Sequence, residues 1–311
     1  MAGATPARIS GYRGRLAPSP TGYLHVGHAR TFWTASQRAR AAGGTLVMRM
    51  EDLDPDRCRA IYADAALEDL RWLGIRWQEG PDKGGPFAPY AQSKRRAIYL
   101  DAWRTLLQRG AIYPCRCSRK DLETALGAPH ERAADTALTA ERDALDDEPV
   151  YPGTCRQSPT KLPQFLRLAG LSADSPDGIN WRFRVPDGAA VEFADANLGP
   201  QRFVAGVDFG DFVVWRRDGV PSYQLACVAD DAAMGITEVV RGADLLKSTA
   251  RQILLYRALG WRPPAWFHCR LVVDHNGRRL AKRHDMLSLR TLRGRGLTPM
   301  NILSAELPVG V

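Results

Sequence analysis

Hydrophobic and polar positions along the chain fall into two alternating patterns with an irregular stretch between them. A short strand is predicted to end at Arg15-Leu16-Ala17. In Pro18-Ser19-Pro20-Thr21-Gly22, which follows, two prolines fix the backbone and remove donors, so neither helix nor central strand can continue. A helical period then covers 28–42 and stops at Gly43-Gly44. Residues 45–50 form an apolar run of strand length that leads straight into Glu51-Asp52-Leu53-Asp54. A helix is predicted over 58–73, ended by Gly74, and another up to Gln108 behind Ser93, a capping residue type. Strands alternating with helices predict the α/β class with a parallel sheet.

The pattern breaks near Tyr113. From there to Phe212 the chain is irregular and rich in proline, and within it 131–148 is alanine-rich and acidic, which reads as an exposed insertion. Alternation returns with a strand at 236–240, a helix over 249–259 and a strand at 269–273. No internal repeat is visible. The expected organisation is an α/β domain in two halves, 8–112 and 213–265, split by an inserted domain over 113–212. A basic loop and a helical C-terminal region follow over 266–311.

Composition adds boundaries. Hydrophobic residues make up 45% of the 311 and charged residues 25%, the proportions of a globular chain. No apolar run reaches the ~18 residues of a membrane span, and MAGATPARISGYRGR has no apolar signal region. A cytoplasmic enzyme with no membrane partner is the expectation, and a monomer the default. The net charge of +9 favours an anionic partner such as RNA. Only six of the 43 basic residues are lysine, a bias that the base composition of the gene also explains, so charge alone leaves the partner open. Six cysteines in a chain this long without a signal do not read as a disulfide framework. Three of them gather at Cys115, Cys117 and Cys155, which suggests a metal instead. Cys58, Cys227 and Cys269 read as ordinary buried cysteines.

His25 and His28 flank Gly27 where a helix is about to begin. A helix N-terminus presents unpaired N–H groups and a partial positive charge, and anions collect there. Gly27 allows close approach, and two imidazoles one turn apart can donate to phosphate oxygens together. Taken alone, the pair fits a nucleotide site and a simple cap equally well. A second element is Asn276-Gly277-Arg278-Arg279-Leu280-Ala281-Lys282-Arg283, a basic loop behind a strand. It fits either a solvated turn or a loop that closes on transferring phosphates through Lys282. Cys115-Arg116-Cys117 and Tyr151-Pro152-Gly153-Thr154-Cys155 offer three thiolates and a phenol, and spacing alone leaves open whether they bind zinc.

Pro18-Ser19-Pro20-Thr21-Gly22 leading to His25-Val26-Gly27-His28 resembles the HIGH motif of class I aminoacyl-tRNA synthetases in its glutamate-specific form. Arg279-Leu280-Ala281-Lys282-Arg283 resembles their KMSKS loop, with Arg279 for its first lysine and Ala281 for its serine. Tyr223-Gln224-Leu225-Ala226, Asp230-Asp231 and Val240-Arg241-Gly242-Ala243-Asp244 look like the second half of the same domain. The chain runs only to Val311, which implies no helical anticodon-binding domain. It is therefore most similar to the truncated branch of the family, the glutamyl-Q tRNA(Asp) synthetases.

That resemblance implies a Rossmann-like catalytic domain of the HIGH/KMSKS type, split by an inserted zinc-containing domain like those that bind tRNA acceptor ends. It implies activation of L-glutamate by ATP with Mg²⁺, and transfer to queuosine in the anticodon of tRNA(Asp). Arg15, Leu16, Ala17, Pro18, Ser19, Glu51, Tyr223 and Arg241 would hold glutamate, with Glu51 as counter-ion of its ammonium and the arginines on its carboxylates. His25, Gly27, His28 and Lys282 would bind ATP, and His25, His28 and Lys282 would act on the transferring phosphate. Cys115, Cys117, Tyr151 and Cys155 match the order of the family's single structural zinc site, with His130 as the rival to Tyr151. Other readings are a truncated synthetase charging a tRNA 3′ end, a non-catalytic RNA-binding paralogue and a small-molecule nucleotidyltransferase.

Overall fold

The computed structural model describes residues 10–117, 121, 150–168, 170–272 and 288–304. Strand β1 (Arg13–Leu16) pairs in parallel with β2 (Thr45–Met48), Arg13 opposite Thr45 and Leu16 opposite Met48. Helix α1 (Val26–Ala41) crosses between them and buries Val26, Ala29, Phe32, Ala35 and Ala39, one stripe at helical spacing. It begins two residues earlier than the sequence period predicts, because His25 is itself the N-cap. The chain turns back at Gly43-Gly44. A Cβ at Gly44 would lie 2.5 Å from the Tyr12 carbonyl oxygen, so β2 can enter beside β1 only with glycine there.

Helix α2 (Ala60–Trp72) and helix α3 (Arg96–Gln108) follow. Ser93 does not cap α3. Its N–H and its hydroxyl donate to the two oxygens of Asp52, 2.9 and 2.6 Å away, and a 3-10 turn over Gln92–Lys94 precedes the helix. Strand β3 (Ile112–Cys115) opens an antiparallel sheet with β4 (Asn180–Phe183) and β7 (Val213–Trp215). Helix α4 (Leu162–Leu168) lies between β3 and β4 in sequence.

Strands β5 (Ala190–Asp195) and β6 (Gly199–Val204) pair antiparallel, yet β5 also joins β9 (Ala265–Cys269) in parallel through Asp195 and Trp266. The stretch expected as an insert thus contributes two strands to the sheet of the second half. That sheet is completed by β8 (Glu238–Gly242), parallel to β9. Thr237 ties it to the first half: its N–H donates to Arg13 O at 2.9 Å, and its hydroxyl accepts from Arg13 N at 2.8 Å.

Helix α5 (Tyr223–Ala233) starts on the Ser222 hydroxyl, which accepts from Leu225 N. Helix α6 (Leu246–Leu259) is buried on most sides and ends at Gly260 in the left-handed conformation. The last strand lies earlier than 269–273. Trp266 and His268 are buried and alternate with less buried neighbours, so Cys269 ends β9 instead of beginning it. Two short helices, α7 (Leu289–Gly294) and α8 (Pro299–Leu303), pack Leu289, Leu292 and Ile302 into the core beneath α1 and β1. No helix among the described residues is long and apolar enough to cross a membrane.

Candidate active site

Beyond β1 the backbone keeps company with the continuation of β2: Arg49 N donates to Leu16 O at 2.8 Å and Glu51 N to Pro18 O at 3.0 Å. The strand ends therefore open onto a common edge, where open α/β sheets bind ligands. A cavity of about 810 Å³ lies at this edge. Ala17, Pro18, Ser19, His25, Gly27 and His28 line it together with Arg15, Glu51, Tyr223 and Arg241. Leu16 does not line it. Strand alternation turns its side chain into the core with Leu24, Val26 and Met48. Lys282, with the rest of the 276–283 loop, lies outside the described residues, as do His130 and 131–148.

The two histidines are bound into the start of α1. His25 Nδ1 accepts from Gly27 N at 3.1 Å, and His28 Nδ1 accepts from His25 N at 3.3 Å, a reciprocal capping box made of imidazoles. The ring centroids are 3.8 Å apart. A Cβ on residue 27 would lie 3.0 Å from His25 Cε1, so glycine makes room for that ring to fold back. With Nδ1 of each neutral ring accepting, the ring proton sits on Nε2. The pair thus caps the start of α1 through its two Nδ1 atoms.

Behind Arg15 and Glu51 lies a buried charge network. Arg49, fully buried, donates Nη1 to Asp231 at 2.6 Å and Nη2 to Glu51 at 2.9 Å, and its Nε lies 3.9 Å from Asp230. Burial disfavours its charge, but Asp231, Glu51 and Asp230 together hold it charged, well above even the usual arginine range. Asp230 also accepts from Arg95, Tyr99 and Gln92 at 2.6, 2.8 and 2.8 Å. Arg15 Nε faces Asp231 at 3.6 Å while its Nη1 donates to Val240 O at 2.8 Å. Three guanidiniums thus answer three carboxylates. Glu51 is already an ion-pair partner of Arg49, a residue that sequence reasoning missed. The signal was an arginine inside an otherwise apolar strand run.

Arg241, at the end of β8, donates Nη2 to Thr249 Oγ1 at 2.6 Å and Nε to His268 Nε2 at 3.2 Å. His268, on β9 and fully buried, was not anticipated either. Tyr223 begins α5, and burial pushes its hydroxyl well above the ordinary phenol range, so it stays a hydrogen-bond donor.

At the end of β3 a second cluster forms. The sulfurs of Cys115, Cys117 and Cys155 all lie within 4.8 Å of one another. The Tyr151 hydroxyl is 3.4 Å from Cys115 Sγ and 3.5 Å from Cys117 Sγ, and Cys117 and Cys155 are 3.5 Å apart. These separations approach the roughly 3.5–3.8 Å edges of a tetrahedron with Zn–S bonds of about 2.3 Å. Cys155 N donates to the Tyr151 oxygen at 2.8 Å and Arg182 Nε to Cys115 Sγ at 3.3 Å. Burial pushes the Cys117 thiol up to about 11, and burial with the neighbouring sulfurs drives the Tyr151 phenol far above its usual range. The donor set fits a thiophilic divalent cation, which would reverse both shifts.

A family model described as tRNA synthetases class I (E and Q), catalytic domain, matches residues 12–311, and the chain belongs to this family of ligases. It is 48% identical over 292 residues to a glutamyl-Q tRNA(Asp) synthetase of Nitratidesulfovibrio vulgaris, covering 93% of this chain and 83% of that one. It is 42% identical over 286 residues to a glutamate–tRNA ligase 2 of Nitrosococcus oceani, covering 92% of this chain and 56% of the relative. A solved glutamate tRNA ligase from Elizabethkingia meningosepticum, in complex with its amino acid, superimposes with a TM-score of 0.71 at 28% identity. That match covers 93% of this chain and 54% of the ligase, so the chain spans about half its length.

Proposed function

We propose that the protein activates L-glutamate with ATP as glutamyl-adenylate and transfers the glutamate to the queuosine base in the anticodon of tRNA(Asp), independently of a tRNA 3′ end. One observation carries the activation step: a single cavity joins the imidazole-capped start of α1 to Glu51, Tyr223 and Arg241. The relative named for glutamyl-Q tRNA(Asp), covered over 83% of its length, supports the choice of acceptor.

The glutamate α-carboxylate attacks the α-phosphorus of ATP in line, the bond to the bridging oxygen breaks, and pyrophosphate leaves. No covalent enzyme intermediate is needed, so the protein supplies position and charge. His25 and His28 donate from Nε2 to phosphate oxygens, an interaction that strengthens as negative charge grows on them. Lys282 neutralises the leaving pyrophosphate, and Mg²⁺ enters with ATP. Arg241 and Arg15 meet the carboxylates. Glu51 accepts from the ammonium, although Arg49 balances much of its charge. A queuosine hydroxyl then attacks the acyl carbon and releases AMP.

Cys115, Cys117, Tyr151 and Cys155 would hold one zinc ion, which supplies a structural cross-link between β3 and the segment around Tyr151. The reading is of a cytoplasmic, monomeric enzyme.

The test supplies ATP, Mg²⁺ and radiolabelled glutamate with bulk tRNA from cells that make queuosine and from cells that cannot. Label on the queuosine-containing pool alone is the expected result. Equal labelling of both pools would mean 3′-end charging. No label on either pool would overturn the transfer step.

A further inference from the structure

We propose that Asp195 and His268 are positioning residues that hold Arg241 for the substrate carboxylate, so that β5, drawn from the stretch expected as an insert, sets the preference for an acidic substrate. This rests on the glutamate reading above. His268 Nδ1 lies 2.6 Å from Asp195 Oδ2, and its Nε2 accepts from Arg241 Nε at 3.2 Å. An Nε2 that accepts must leave the ring proton on Nδ1, which donates to Asp195. The order is therefore fixed: carboxylate, neutral imidazole, guanidinium.

A charged ring would face Arg241 without an acceptor, and burial and Arg241 both disfavour that charge. Asp195 is pinned independently of the ring. It accepts the backbone N–H groups of Asn197 at 3.0 Å, Leu198 at 2.8 Å and His268 at 3.0 Å. Thr249 Oγ1 completes the clamp by accepting from Arg241 Nη2 at 2.6 Å while lying 3.0 Å from His268 Nε2. Trp266 packs under the guanidinium at 5.0 Å. Nε and Nη2 are thus both committed, and Nη1 takes no part in these bonds. A guanidinium held on two of its three nitrogens presents the third in a fixed direction, which suits recognition of a carboxylate over an amide.

Two variants separate positioning from folding. In His268→Asn the new amide nitrogen stands near the place of Nδ1, so this variant keeps a donor to Asp195 and removes the acceptor for Arg241. The longer side chain of His268→Gln reaches the place of Nε2 and restores that acceptor. In glutamate-dependent ATP–pyrophosphate exchange, His268→Asn is expected to raise KM for glutamate about tenfold or more. KM for ATP should stay within about twofold, and His268→Gln should recover to within about threefold of wild type. An unchanged glutamate KM in His268→Asn, a parallel rise in KM for ATP, or no recovery in His268→Gln would overturn the proposal.

A wild-type enzyme with no exchange would instead remove the glutamate reading. The positioning role is then decided by ¹⁵N spectra of histidine-labelled protein. A neutral, Nδ1-protonated His268 whose Nε2 resonance moves in Arg241→Lys upholds it, and an Nε2-protonated or charged ring overturns it.

Discussion

The buried network under the cavity and the half-buried cysteine cluster at the end of β3 both gather ionisable groups, and they balance charge differently. Beneath the cavity, Arg15, Arg49 and Arg95 answer Glu51, Asp230 and Asp231, with Tyr99 and Gln92 filling remaining acceptor sites. These side chains balance one another's charge, three guanidiniums against three carboxylates. At β3, three thiols and a phenol face one another with one guanidinium, that of Arg182, alongside. More than one ionised thiol there would exceed the positive charge at hand, so the cluster is suited to receive a cation. A preorganised polar site can thus be closed by its own side chains or by a ligand, and the balance of guanidinium to acid tells which.

The comparison breaks first at Arg49. Arg49→Met leaves three carboxylates with two guanidiniums in a buried setting, and about 3–5 kcal/mol of stability should be lost. Urea denaturation measures it, and an unchanged midpoint would mean that the network is not held by charge balance. At β3 the corresponding step is removal of the proposed zinc. Cys115→Ser, or treatment with a chelator, should take metal content from about one per chain to none and lower Tm by roughly 5–10 °C. Arg49→Met should keep its metal, which separates the two regions experimentally.

A smaller effect is expected at the cap. His28→Asn keeps an acceptor near the place of Nδ1 and removes Nε2–H, so Tm should move by no more than about 2 °C. The rate of pyrophosphate exchange should nonetheless fall about 100-fold, the usual effect of losing one donor to developing charge. A rate within about threefold of wild type would return the imidazole to a purely structural cap.

Local pattern carried some of this and not the rest. The proline-bounded turn, the glycine that ends α1, the histidine pair and the acidic step after β2 are contiguous signals, and all but that glycine stand at the cavity. Arg49 meets Asp231 across 182 residues and His268 meets Asp195 across 73, separations at which no period or spacing rule operates. Ser93 shows the same limit on a smaller scale: a capping residue type was claimed by Asp52, 41 residues away, before it could cap α3. The charge network was legible only as an anomaly, an arginine in an apolar strand.

Asp69 sharpens the comparison because it is a buried carboxylate without such a network. It sits on the inner face of α2, and neither oxygen has a hydrogen-bond partner. Arg290 approaches only to 3.9 Å. Burial raises its pKa from 3.8 to about 6, with Arg290 opposing the shift. The folded state therefore holds the proton more tightly than the unfolded chain between about pH 4 and 6. Across that window the unfolded chain binds fewer protons, so stability falls as pH rises, and the cost is complete above about pH 6. Asp69→Asn cannot ionise and should lose this dependence. Relative to wild type it should gain up to about 2 kcal/mol between pH 4 and 7.5, read from paired urea denaturation curves. A constant difference between the two proteins over that range would show that Asp69 titrates in the folded state as it does in water, and that burial without a partner is tolerated here at no electrostatic cost.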